Sequence, residues 1–138
     1  MSEPIIVALA AALNAGLPCD VHRNASLPET VGPNGFASLG DGAPGEPVDI
    51  ALSPITYSYA HSMPLDLAVQ ASDNDAALKI LKDAVNTTIL SDRTLGGLCE
   101  WIEIYPDEAA AGAFPGAASV KFQIVNLVVH YQTANPLS

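Results

Sequence analysis

Three histidines, two cysteines and fifteen carboxylates are the side chains of this sequence best suited to chemistry. His22, His61 and His130 lie far apart on segments that read as strands. They lack the HExxH or paired spacing that brings two imidazoles onto one metal. Each reads as a half-buried strand residue rather than a ligand or base. Cys19 and Cys99 are too few for a disulfide framework and have no CxxC spacing. They read as free thiols filling small core sites, which suits a reducing compartment. Cys99 stands two residues before Trp101, with no base that can be assigned to it. Gly40-Asp41-Gly42 resembles a piece of a glycine-rich loop but lacks the helix and lysine that phosphate binding needs, so it reads as a turn. There is no GxSxG elbow or P-loop, and no pair of acids stands out as an acid/base dyad. The expectation is a protein that is not an enzyme, with no catalytic, cofactor or metal residues. A small enzyme or ligand-binding module of unknown substrate is the alternative.

Charge narrows the choice further. Fifteen acids against five bases give a net charge of −10, which repels nucleic acid. Sequence-specific DNA or RNA binding is therefore not expected. With 138 residues, 49% of them apolar, the chain reads as a single domain over 1–138 with a real core. The apolar run Pro4–Leu13 follows Glu3 and no basic residue, unlike a signal peptide. It is also shorter than the ~20 residues that span a bilayer. The reading is a soluble protein with a buried first helix and no membrane partner.

The elements that must position these residues follow from pattern. Ser2 caps a helix, Glu3 and Pro4 suit its first turn, and Gly16 supplies a stop. That helix has almost no polar face after Glu3, so its own domain buries it on several sides or another subunit does. A short strand is expected near Asp20–Arg23. Residues 24–47 are rich in Gly and Pro and read as a long irregular surface loop, or one with a short hairpin, that touches a neighbouring chain. Val48–Leu52 can form a strand, and Ile55–Ala71 a longer one. The odd positions of the latter, Tyr57, Tyr59, His61, Met63, Leu65, Leu67 and Val69, face inward, and Pro64 marks a bulge or a sheet edge. Asp73 caps an amphipathic helix reaching Ser91, with Asp75 and Lys79 in the favourable order for pairing. The turn Asp92–Leu98 requires a positive φ at Gly96 or Gly97. A strand at Leu98–Tyr105, a loop over 106–116 and a last strand at Ala118–Thr133 complete the chain. In the last strand Val120, Phe122 and Ile124 alternate with Lys121 and Gln123 before the apolar run Val125–Val129, which reads as a central strand. The class is α+β, a mainly antiparallel central sheet packed against two helices.

The run Ser91-Asp92-Arg93-Thr94-Leu95-Gly96-Gly97-Leu98-Cys99-Glu100-Trp101 and the strand end Val129-His130-Tyr131-Gln132-Thr133 are similar to those of phage tail terminator (tail completion) proteins, found in long-tailed phages and gene transfer agents. The resemblance covers residues 3–16 and 48–133; the segment 24–47 matches nothing usable. It implies a virion tail protein, made in the host cytoplasm, that forms a homo-oligomeric ring, a hexamer. Such a ring caps the head-proximal end of the tail tube, stops its polymerisation and joins the tail to the head-side connector or neck protein. DNA would pass through without specific binding. The resemblance carries over no catalytic residue and no cofactor. Contacts with neighbouring chains are expected at Asn34, Gly35 and Phe36, at Tyr57 and Tyr59, and at Arg93 and Leu95. From the residues alone, Tyr57, Tyr59 and Trp101 read as core or half-core. Arg93 reads either as a cation at a helix C-terminus or as a contact to an acidic partner or sister subunit.

Overall fold

The computed structural model of the chain describes residues 2–25, 35–42, 45–52, 54–70, 74–106, 110–113 and 119–134. Helix α1 (Ser2–Gly16) is followed by strands β1 (Val21–Arg23), β2 (Phe36–Leu39), β3 (Asp49–Leu52) and β4 (Ile55–Val69). Helix α2 (Asn74–Ser91), β5 (Trp101–Pro106), β6 (Ala110–Ala113) and β7 (Ser119–Thr133) complete the order. The class is α+β as expected, a seven-stranded and mainly antiparallel sheet with two helices. Asp73, expected to cap α2, lies outside the described residues.

Two long strands make the centre. β4 and β7 pair from Tyr57↔Thr133 to Val69↔Lys121. β3 and β2 share the far edge of β4, and β6 and β5 share the far edge of β7. The period-two pattern of β4 is realised: Tyr59, His61, Met63, Leu65, Leu67 and Val69 are all buried. The apolar members of that row pack on Ile5, Leu9 and Leu13 of α1 and on Leu78, Leu81, Val85 and Ile89 of α2. Each such side chain stabilises the fold by about 1.5–3 kcal/mol when fully buried. The opposite face of α1 stays open, with Val7 exposed.

Several expectations need correction. The segment 24–47 is not surface throughout: its β2 is buried at all four positions. Ala37 and Leu39 join the main core, and Phe36 packs on Ala68. β2 lies between β1, which it pairs in parallel, and β4. Pro64 makes no bulge, because β4 runs through it in unbroken register, opposite Asn126. Its carbonyl accepts the Gly40 N–H at 2.7 Å. N and C=O of one residue point the same way in an antiparallel strand, so the proline nitrogen faces the edge just where β2 has ended. The phase of β7 is the reverse of that expected at its start. Gln123 is buried, while Phe122 and Ile124 are exposed. The longer run Val125, Leu127, Val129, Tyr131 sets the inward phase, and a strand without a bulge cannot change it. Lys79 pairs with Asp83 rather than Asp75, which takes Lys121 instead. Gly16 ends α1 without a positive φ; its reason is a close approach to α2, where a Cβ would sit 2.0 Å from Thr88 Oγ1.

Candidate functional site

The helices cover one face of the sheet, and the other face carries the groups most available to another molecule. Phe122 and Ile124 of β7 and Trp101 and Tyr105 of β5 are exposed there. Trp101 stacks on His130 with ring centroids 4.9 Å apart. Glu103 receives a hydrogen bond from the Tyr105 hydroxyl and lies 2.5 Å from His130 Nε2. The Tyr105 hydroxyl, then the imidazole, hold the Glu103 carboxyl below the usual carboxylate range. This imidazole–carboxylate pair, flanked by a partly exposed Trp and Tyr on a sheet surface, suits contact with another protein. Beyond it the β3–β4 hairpin exposes Val48, Ile50, Leu52 and Ile55, and every residue of β3 is exposed. Runs of exposed apolar side chains of this size mark interaction surfaces.

The turn after α2 has a tightly defined backbone. Leu95, Gly96 and Gly97 have φ of 50°, 70° and 96°, so both glycines meet the positive-φ requirement and a leucine shares it. The Asp92 carboxylate accepts the Gly96 N–H at 3.2 Å and the Thr94 hydroxyl at 3.3 Å. The Thr94 carbonyl accepts the Gly97 and Cys99 N–H groups at 3.0 and 3.1 Å. Leu95 turns inward and is buried, while Arg93 stays exposed with no ion pair among the described residues. Cys99 is a buried free thiol whose pKa burial pushes up to about 11, so it stays protonated at neutral pH. Cys19 is also a free thiol.

His61 is the one buried imidazole. Its Nε2 lies 2.7 Å from the Asp41 carbonyl oxygen, which fixes the proton on that nitrogen, and burial lowers its pKa. The Gly40-Asp41-Gly42 segment, read as a turn, lies along the open edge of β4: a Cβ on Gly42 would sit 2.0 Å from the Ser62 carbonyl oxygen. The Asp41 carboxylate is 2.8 Å from Arg23, which also reaches Glu3 at 3.2 Å and so ties the segment to α1. Among the described residues no group of three or more His, Cys, Asp or Glu could hold a metal ion. None of the described helices is long and apolar enough to cross a membrane.

The expected contact residues are scattered by this arrangement. Phe36 is buried with His22 stacked on it at 5.4 Å, and Tyr59 is buried with Tyr131 stacked at 5.5 Å. Leu95 is buried and Tyr57 half-buried, so the chain's own core takes up most of these side chains. Gly35 backs directly onto Leu81, with room for no Cβ, and Asn34 lies outside the described residues. Among the described members of the set, Arg93 alone extends as an exposed side chain. Phe122, Ile124, Trp101, Tyr105 and the hairpin were missed as surface groups; the inward phase of Val125–Tyr131 was the signal that places the first two outside.

No family model and no curated protein matches the chain. Among solved structures it is similar to a chain of one described as "Virion of native gene transfer agent (GTA) particle", at 14% sequence identity and a TM-score of 0.43, over 88% of this chain and 83% of that one.

Proposed function

We propose that this chain is a non-catalytic structural virion protein, a tail-terminator-like subunit. In this reading identical copies form a ring, a hexamer, at the head-proximal end of the tail tube. The ring stops tube polymerisation, contacts the tube protein on one side and the head-side connector or neck protein on the other, and lets DNA pass without specific binding. The protein is made in the host cytoplasm and ends in the virion tail.

The open sheet face and the projecting hairpin carry the reading. Phe122, Ile124 and Trp101 are exposed on the face that the helices leave bare, and Leu52 and Ile55 on the hairpin at the opposite face, past the helices. Two apolar surfaces of this kind suit cover by other protein. The resemblance of the Ser91–Trp101 run to tail terminators gives those surfaces their context. The net charge of −10 suits a passage for DNA that must not hold it.

Light scattering after size exclusion, with negative-stain imaging, tests the proposal on purified protein at tens of micromolar. The expected result is a ring of six copies, each 14.3 kDa. A compact monomer at every concentration overturns the reading.

A further inference from the structure

Asp66 lies on the open face of the sheet, opposite Ser38 on β2 and Ile124 on β7. It lines a cleft of about 210 Å³ with Phe36, Ala68, Phe122 and Ile124. Asp66 itself is exposed at the mouth of the cleft, and the apolar walls shield it in part, which raises its pKa with no neighbouring charge to offset the effect. All five Lys and Arg side chains of the sequence lie within the described residues, and none of them pairs with Asp66. Arg23 is held by Asp41 and Glu3, Lys79 by Asp83, and Lys121 by Asp75. A Lys or Arg that pairs with Asp66 therefore comes from another polypeptide.

The chain carries a group that matches. Arg93 is exposed, makes no ion pair among the described residues, and stands on the turn that Asp92 and Thr94 clamp. The positive φ of Leu95 is held by its burial in the chain's own core and by these hydrogen bonds, so the turn presents Arg93 on a fixed backbone. A planar guanidinium pairs with a carboxylate and stacks on phenyl rings, so it fits a cleft holding Asp66, Phe36 and Phe122 better than the ammonium of Lys82. Each of these two cations feels one acid of its own chain, Asp75 for Lys82 and Glu103 for Arg93, without forming an ion pair among the described residues.

We propose that Arg93 of one copy enters the Asp66 cleft of the next copy. The inference rests on the ring reading above and supplies its contact. Two different patches on identical chains meet head to tail, the geometry that closes into a ring. Chains at −10 each repel, but salt at physiological strength limits that repulsion to about 8 Å, and a local pair of opposite charges then sets the register.

Charge exchange tests the contact. Asp66→Arg and Arg93→Asp are made singly and together, and each is checked for folding by circular dichroism and thermal melting. Assembly is followed by light scattering against concentration. The expected result is assembly of the native chain, a midpoint shifted upward about ten-fold or more in each single variant, and recovery in the double variant. An equimolar mixture of the two single variants should also recover assembly, because each then meets its opposite. If the native chain assembles and both single variants assemble equally well, the cleft takes no Arg93, and this inference fails while the ring reading stands. If the native chain never assembles, both fail.

Discussion

Gly16 at the end of α1 meets Thr88 of α2 so closely that an added Cβ would stand 2.0 Å from the threonine oxygen and 3.1 Å from its Cβ and Cγ2. Rotation of Thr88 gives only partial relief, since its own Cβ stays 3.1 Å away and the turn takes the hydroxyl from its acceptor. The hydroxyl is also bonded to the Ala84 carbonyl at 2.7 Å. Alanine in a helix is ordinarily more stable than glycine by about 1 kcal/mol. Here Gly16→Ala should instead destabilise by about 1–3 kcal/mol. Urea unfolding of the single variant and of Gly16→Ala with Thr88→Ala checks this, and the second change should return most of the loss.

His61 makes stability depend on pH in a defined window. Burial lowers its folded pKa below the unfolded value of about 6.5, so the unfolded chain takes the proton first. Stability is therefore full above pH ~6.5 and falls as pH drops below it toward the folded pKa. Asp41, Asp75 and Glu103 have lowered pKa values, and their contributions are lost only at lower pH, as it falls through those values. The urea midpoint should drop between about pH 6.5 and 5 in the native chain and stay level across that window in His61→Gln. A level native profile would refute the buried neutral imidazole.

At Gly96 the backbone has φ 70° and no atom within 4 Å of an added Cβ, so the cost of substitution there is conformational alone. Gly96→Val should destabilise by about 1–2 kcal/mol, and Gly96→Asn by less than half as much, because asparagine tolerates the left-handed region. Equal losses in thermal melting would place the cost elsewhere.

Leu52 is 79% exposed at the hairpin, and Leu127 is fully buried in the core. Leu52→Asp should change stability by no more than about 0.5 kcal/mol while weakening assembly. Leu127→Ala should lose about 2–5 kcal/mol of stability. Unfolding and light scattering on the same samples separate the two effects.

The sequence disclosed most where one period ran long. Seven alternating pairs along β4 and the apolar stripe Leu78, Leu81, Val85, Ile89 of α2 leave a single solution, and both are found. β2 was hidden because four residues are too few to show a period and because Gly and Pro surround them. Its burial is decided by β1 and β4 on either side, which local pattern cannot express. The start of β7 was misread for a different reason. Val120, Phe122, Ile124 offered one phase and Val125, Leu127, Val129 the other, and only pairing with β4 through Leu67↔Gln123 decides between them. The open face followed from that choice, so the most informative part of the surface was the part least visible beforehand.

The central pair also dictates an order of events during synthesis. Val69 and Lys121 are the nearest partners in sequence between β4 and β7, and Tyr57 must wait for Thr133. At roughly 5–20 residues per second, β4 leaves the ribosome several seconds before its main neighbour exists. In that interval the β3–β4 hairpin and α2 form, since their contacts are local. The long strand meanwhile presents an unsatisfied edge and a full apolar row to every other nascent chain nearby. Such a chain therefore gains from bound chaperones and from quick translation through 70–119, and its yield in folded form should fall when that stretch is translated slowly at high temperature.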